Sequence, residues 1–194
     1  MARATDRRRC LLRTAALGMG LGLGGGLLAW PVAGQAQPAS PTAGGAAPGQ
    51  GDPGAPMPAL GTPLKLPALA LLDGTPFRPA EAEGQVTVVY WWASWCPFCA
   101  LTSPLMDRLW REQQPRGLKF LGLSIDKRAE DAQAYLARRG YRFPSGWVTP
   151  EVARALPRPK GLPVTLVRVR DGRVAQAIAG QLLAEDVAEI AALV

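Results

Sequence analysis

The chain has no histidine and only three cysteines in 194 residues. A zinc site takes four ligands, mostly Cys and His, so a metal centre would require two chains to share it. A structural disulfide framework would need more cysteines at wider spacing. Blocks of like charge are also missing. The formal net charge is +7 from 22 basic and 15 acidic residues, but residues 1–36 hold five Arg and one Asp, leaving 17 − 14 = +3 for the remainder. A remainder so nearly balanced has an ordinary solvated surface and no nucleic-acid patch. There is no internal repeat.

What is present is a close cysteine pair in Ser94-Trp95-Cys96-Pro97-Phe98-Cys99. Such a pair reads as redox-active or metal-binding, and the missing ligands remove most of the case for metal. The pair falls where an apolar run, Val86 to Trp92, gives way to a helical pattern. A helix N-terminus favours the thiolate over the thiol, which suits a dithiol there to thiol–disulfide exchange.

The third cysteine, Cys10, lies in a leader. Arg7-Arg8-Arg9-Cys10-Leu11-Leu12-Arg13 precedes an uncharged stretch from Thr14 to Ala36, the basic and apolar regions of an export signal. Arg8-Arg9 followed by Leu11-Leu12-Arg13 resembles a twin-arginine signal. Arg7 stands where that pattern carries Ser or Thr, so the general export route fits as well. Gly34-Gln35-Ala36 offers small residues for cleavage after Ala36; the alternative is an uncleaved membrane anchor, weakened by its many glycines. Residues 37–63 are Pro, Gly and Ala with small polar residues and read as a flexible spacer.

Residues 64–194 are long enough for one domain with a sizeable core. Leu64 to Phe77, turning at Asp73-Gly74, predicts an N-terminal hairpin. Val86 to Trp92 predicts a central strand buried on both faces. A helix is expected from Cys96 to Glu112, with Pro97 at its first position, Leu101, Leu105 and Leu109 inward, and a kink at Pro104. A second buried strand (Leu118 to Ile125) precedes an amphipathic helix (Arg128 to Arg139) capped by Gly140. After a short extended piece and a short helix, Gly161-Leu162-Pro163 opens a strand at Val164. There Val167 and Val169 alternate with Arg168 and Arg170, which predicts one wet face. Asp171-Gly172 turns it into Val174 to Ala179, and Ala184 to Val194 closes as a helix. This order predicts an α/β fold with a mixed central sheet flanked by helices.

Four features in this order resemble the thioredoxin superfamily, specifically its exported branch of TlpA-, ResA- and CcmG-like oxidoreductases. They are Trp92-Ala93-Ser94-Trp95-Cys96-Pro97-Phe98-Cys99, Pro104, Gly161-Leu162-Pro163-Val164-Thr165, and Asp171-Gly172. The resemblance implies a thioredoxin-like fold over roughly residues 60–194, with the segment around the helix from Arg128 as a central insertion. It implies Cys96 as nucleophile, Cys99 as resolving cysteine, and Pro163 as the family's cis-proline. Leu162 would offer backbone groups to a substrate, and Trp95, Pro97 and Phe98 would shape the rim. The alternative for Pro163 is a trans proline opening an edge strand.

Two departures from the pattern stand out. Tyr90 occupies the place of thioredoxin's buried acid, which leaves Asp126 as the candidate proton relay, or else as a plain helix cap. Phe98 replaces the His of strong oxidants and favours a reductant. The resemblance therefore implies an exported reductase of protein disulfides, with no cofactor beyond its own dithiol. Apocytochrome c would be a substrate and a DsbD- or CcdA-type membrane protein the electron donor, in the periplasm, with a membrane tether if the leader stays. A disulfide oxidase or isomerase is the competing reading, and a non-enzymatic binding domain a further one. A peroxidase of the related peroxiredoxin type would carry Thr where this chain has Ala93.

Overall fold

The computed structural model describes residues 54–194, so the leader and the spacer as far as residue 53 lie outside it. The sheet is built on β3 (Thr87–Trp92), whose six residues are all buried. Alternation along an extended chain sends Val88, Tyr90 and Trp92 to one apolar cluster and Val89 and Trp91 to another on the opposite face. A strand with two apolar faces belongs in the middle of a sheet, and β3 is the third of five strands.

On one side β4 (Lys119–Ser124) and then β5 (Ser145–Trp147) run parallel to β3. On the other, β6 (Val164–Arg168) and β7 (Val174–Ala179) run antiparallel as a hairpin. The N-terminal hairpin is a two-residue pairing of β1 (Leu69–Ala70) with β2 (Pro76–Phe77). Asp73 accepts from the Thr75 amide and hydroxyl in its turn.

Among the described residues four α-helices complete the fold: α1 (Pro97–Gln113), α2 (Ala129–Arg139), α3 (Pro150–Ala155) and α4 (Ala184–Ala192). α2 ends at Gly140, whose φ of 68° is the left-handed conformation that glycine adopts without Cβ strain. Pro104 leaves α1 unbroken along its 17 residues.

Three sequence expectations need correction. Leu101 is 54 % exposed, whereas Leu109 is buried. A four-residue step overshoots a full turn by about 40°, so a leucine repeat at four drifts around the helix. The expected wet face of β6 is not wet at Arg168, which is 4 % exposed. Its guanidinium donates to the Leu64 and Ala82 carbonyls at 3.1 and 3.0 Å and to the Glu83 carboxylate at 2.9 and 2.8 Å.

Residues 54–63, finally, are not the flexible spacer expected of them. The Gly61 and Leu64 amides donate to the Val174 and Gly172 carbonyls, and the Val174 amide donates to Thr62. Residues 54–63 therefore run along the β6–β7 hairpin as part of the body.

Candidate active site

The site is formed where β3 ends and α1 begins. The Cys96 amide donates to the Ala93 carbonyl at 3.2 Å, closing a tight turn. Cys96 is the N-cap of α1, and Pro97 takes the first helical position, where a missing N–H leaves nothing unsatisfied. The Cys99 amide donates to Cys96 Sγ at 3.1 Å, so a backbone N–H of the first turn points at the sulfur. The first turn carries no acidic residue, which leaves the positive end of a 17-residue helix facing Cys96. A helix N-terminus of this kind favours a thiolate over a thiol once the pair is reduced. Cys96 and Cys99 are joined as a disulfide with Cα atoms 5.2 Å apart. Cys96 is 4 % exposed and Cys99 0 %, so both lie buried, Cys99 the more deeply.

β6 brings the second half of the site. Its Val164 lies opposite Trp91 in the ladder, which sets Leu162 and Pro163 beside the cysteine turn. The Leu162–Pro163 bond is cis, as the resemblance implied. The Pro163 carbonyl accepts from the Gly180 amide at 2.8 Å. Leu162, half-buried against the cluster that holds both cysteines, has no backbone hydrogen bond among the described residues. Its amide and carbonyl are free to pair with an extended segment.

Around the pair lies an apolar rim. Trp95 is 63 % exposed and Phe98 57 %. Pro97 is exposed on the same turn.

Asp126, 4 % exposed, does not cap α2, whose N-cap is Arg128. Its carboxylate accepts from the Ser94 hydroxyl at 2.6 Å, from the Ser94 amide at 3.1 Å and from the Ser124 hydroxyl at 2.7 Å. The Trp147 indole N–H holds its carbonyl at 2.8 Å. Asp126 is thus tied to the loop that leads into Cys96. Sequence reasoning gave no role to Ser94 and Ser124; Ser124 and Asp126, two residues apart at the end of a strand, were the available signal.

Tyr90 lies beneath Cys99, its hydroxyl 3.4 Å from the Cys99 carbonyl and 3.1 Å from Ser103 Oγ. Burial pushes its pKa well above the ordinary phenol value. The phenol therefore stays neutral and serves as a hydrogen-bonding group rather than a base. Among the described residues no group of three or more Cys, Asp or Glu side chains gathers as a metal site.

A strand-to-helix cysteine pair at a helix N-terminus, facing a cis-proline loop, defines a thiol–disulfide oxidoreductase of thioredoxin fold. Residues 54–177 match the sequence model of the AhpC/TSA family, and the chain belongs to that family. It is 24 % identical over 119 residues to the thiol-disulfide oxidoreductase ResA of Geobacillus thermodenitrificans, covering 61 % of this chain and 68 % of that protein. It is 26 % identical over 72 residues to the soluble secreted antigen MPT53 of Mycobacterium tuberculosis, covering 37 % and 40 %. Among solved structures, a thioredoxin-family thiol:disulfide interchange protein from Chlorobium tepidum matches with a TM-score of 0.64 at 27 % identity, over 70 % of this chain and 97 % of that one. A DsbF homologue from Corynebacterium diphtheriae shares the fold, with a TM-score of 0.60 at 19 % identity over 67 % and 85 %.

Proposed function

We propose that this oxidoreductase is exported and works as a reductase of protein disulfides. The Cys96 thiolate attacks one sulfur of the substrate disulfide and expels the other as a thiolate, leaving a mixed disulfide. The Cys99 thiolate then attacks Cys96 Sγ, the Cys96–Cys99 bond closes, and the second substrate thiol leaves. Two electrons pass from the dithiol to the substrate, and an external dithiol must return them. The observation that carries this reading is the site's asymmetry, with Cys96 at the N-cap and Cys99 wholly buried behind it.

The direction rests on Phe98. It has no group to hold a thiolate, so the intervening dipeptide adds nothing to the stability of the reduced pair that an oxidant needs. Asp126 is the proton relay in this scheme, acting through the Ser94 loop. Asp126→Asn is then expected to slow the resolving step by roughly a hundredfold or more while leaving the first attack unchanged. Rapid-quench measurement of mixed-disulfide decay checks it; unchanged decay removes Asp126 from the mechanism.

The setting follows from the leader and from relatives named as secreted. The protein acts in the periplasm, with a membrane tether where the leader is retained. Among the described residues no helix is long and apolar enough to cross a membrane. Substrates are protein disulfides, apocytochrome c being the favoured case, and the electron donor is a membrane reductant of DsbD or CcdA type. No cofactor beyond the dithiol enters the scheme, and no nucleic acid. The midpoint potential of Cys96–Cys99 tests the direction.

A further inference from the structure

The loop that delivers Leu162 and Pro163 to the site is held from two sides. Within the loop, Arg158 Nη1 donates to the Pro159 and Gly161 carbonyls at 2.9 and 2.8 Å. From outside, the Ala55 amide donates to the Arg158 carbonyl at 2.8 Å, and the Lys160 amide donates to the Ala55 carbonyl at 3.1 Å. Ala55 and Pro159 thus form a parallel bridge, and Pro159 is buried beneath it. Contact is close enough that a Cβ on Gly54 would lie 2.6 Å from both the Lys160 Cα and its amide nitrogen, a distance backbone atoms cannot yield without moving the loop.

At its other end the same segment is anchored far from the site. Gly61, Thr62 and Leu64 hydrogen-bond to Val174 and Gly172, and Arg173 Nη1 donates to the Gly61 carbonyl at 2.6 Å. Met57 packs on the apolar cluster beneath. The segment therefore spans from the far turn of the β6–β7 hairpin to the substrate-side loop, with a fixed point at each end.

We propose that residues 54–64 form a strap that positions the 158–162 loop for substrate, with Gly54 and Ala55 as its positioning residues. The inference rests on the reading that Leu162 pairs with the substrate backbone. A free loop of this length would lose entropy each time it ordered around a substrate. The strap removes that cost in advance and so lowers KM without touching the sulfur chemistry.

The test uses the full chain with Gly54→Val, which displaces the loop, and Ala55→Pro, which removes the amide that donates to Arg158 and sets a ring carbon against that carbonyl. In both, hydrogen exchange at the Lys160 amide is expected to speed up tenfold or more. KM for insulin disulfides is expected to rise several-fold. The rate with hydroxyethyl disulfide, too small to span the loop, is expected to stay unchanged. Unaltered Lys160 exchange in both variants, or faster exchange with an unaltered insulin KM, overturns the strap. Leu162→Pro, which removes the backbone amide offered to substrate, serves as the reference. If it raises the insulin KM while the strap variants do not, the strap fails alone. If it too leaves KM unaltered, the substrate-pairing reading fails and takes the strap with it.

Discussion

Cys96→Ser is expected to bring insulin-disulfide reduction down to the uncatalysed rate, and Cys99→Ala to attack once and stop. The difference follows from where the two sulfurs sit. A serine hydroxyl at the N-cap would still accept the Cys99 amide, so the turn survives, but it is not ionised at neutral pH and cannot displace a thiolate. Removing Cys99 leaves the N-cap sulfur and the helix field in place, so the first exchange proceeds. The mixed disulfide then accumulates because Cys99 was the only other thiol among the described residues. Intact-mass analysis after mixing with excess substrate distinguishes the two. Accumulation in Cys96→Ser rather than in Cys99→Ala would reverse the assigned roles.

The second large effect concerns stability. Arg168→Met is expected to destabilise the domain by about 2–4 kcal/mol, because the buried carbonyls of Leu64 and Ala82 lose their donor. The Glu83 pairing adds little to that figure, since the Glu83 side chain is 65 % exposed and screened by water. For a body of this size the loss corresponds to a fall in Tm of roughly 5–15 °C. Arg168→Lys is expected to recover only part of it, since an ammonium lacks the planar fork that reaches three acceptors at once. The active-site potential should not move in either variant, because Arg168 pairs with Thr87 at the opposite end of β3 from the cysteines. Thermal melts followed by circular dichroism check the prediction; a Tm within 2 °C of the parent contradicts the buried role.

Arg168 also shows where sequence stops being informative. Alternation of Val167 and Val169 with two arginines is a sound local signal for a half-wet strand. What covers Arg168 comes from about a hundred residues upstream, at Leu64 and Ala82, and no local period reports it. Leu101 failed for a different reason: a repeat at four is nearly helical, and its drift carries the first leucine out of the core.

The strands, helices and cysteine pair were legible because they rest on composition and short-range spacing. Val86 to Trp92 has one reading only, and Cys96-Pro97 marks a helix start by local chemistry. Residues 54–63 were not legible, since a segment poor in large apolar side chains is held here by backbone hydrogen bonds to a hairpin and a loop beyond residue 157. The same applies to Asp126, whose partners Ser94 and Ser124 are small polar residues meeting across the end of the sheet.

On the proposed reading the Cys96–Cys99 pair gives electrons to protein disulfides. The direct measurement is its midpoint potential, read by equilibrating the protein with glutathione or dithiothreitol redox buffers at neutral pH. A reductase is expected to lie below about −180 mV, on the reducing side of protein disulfide isomerase. A value near or above about −120 mV, the range of the strong oxidant DsbA, would contradict it and make the pair a donor of disulfides instead.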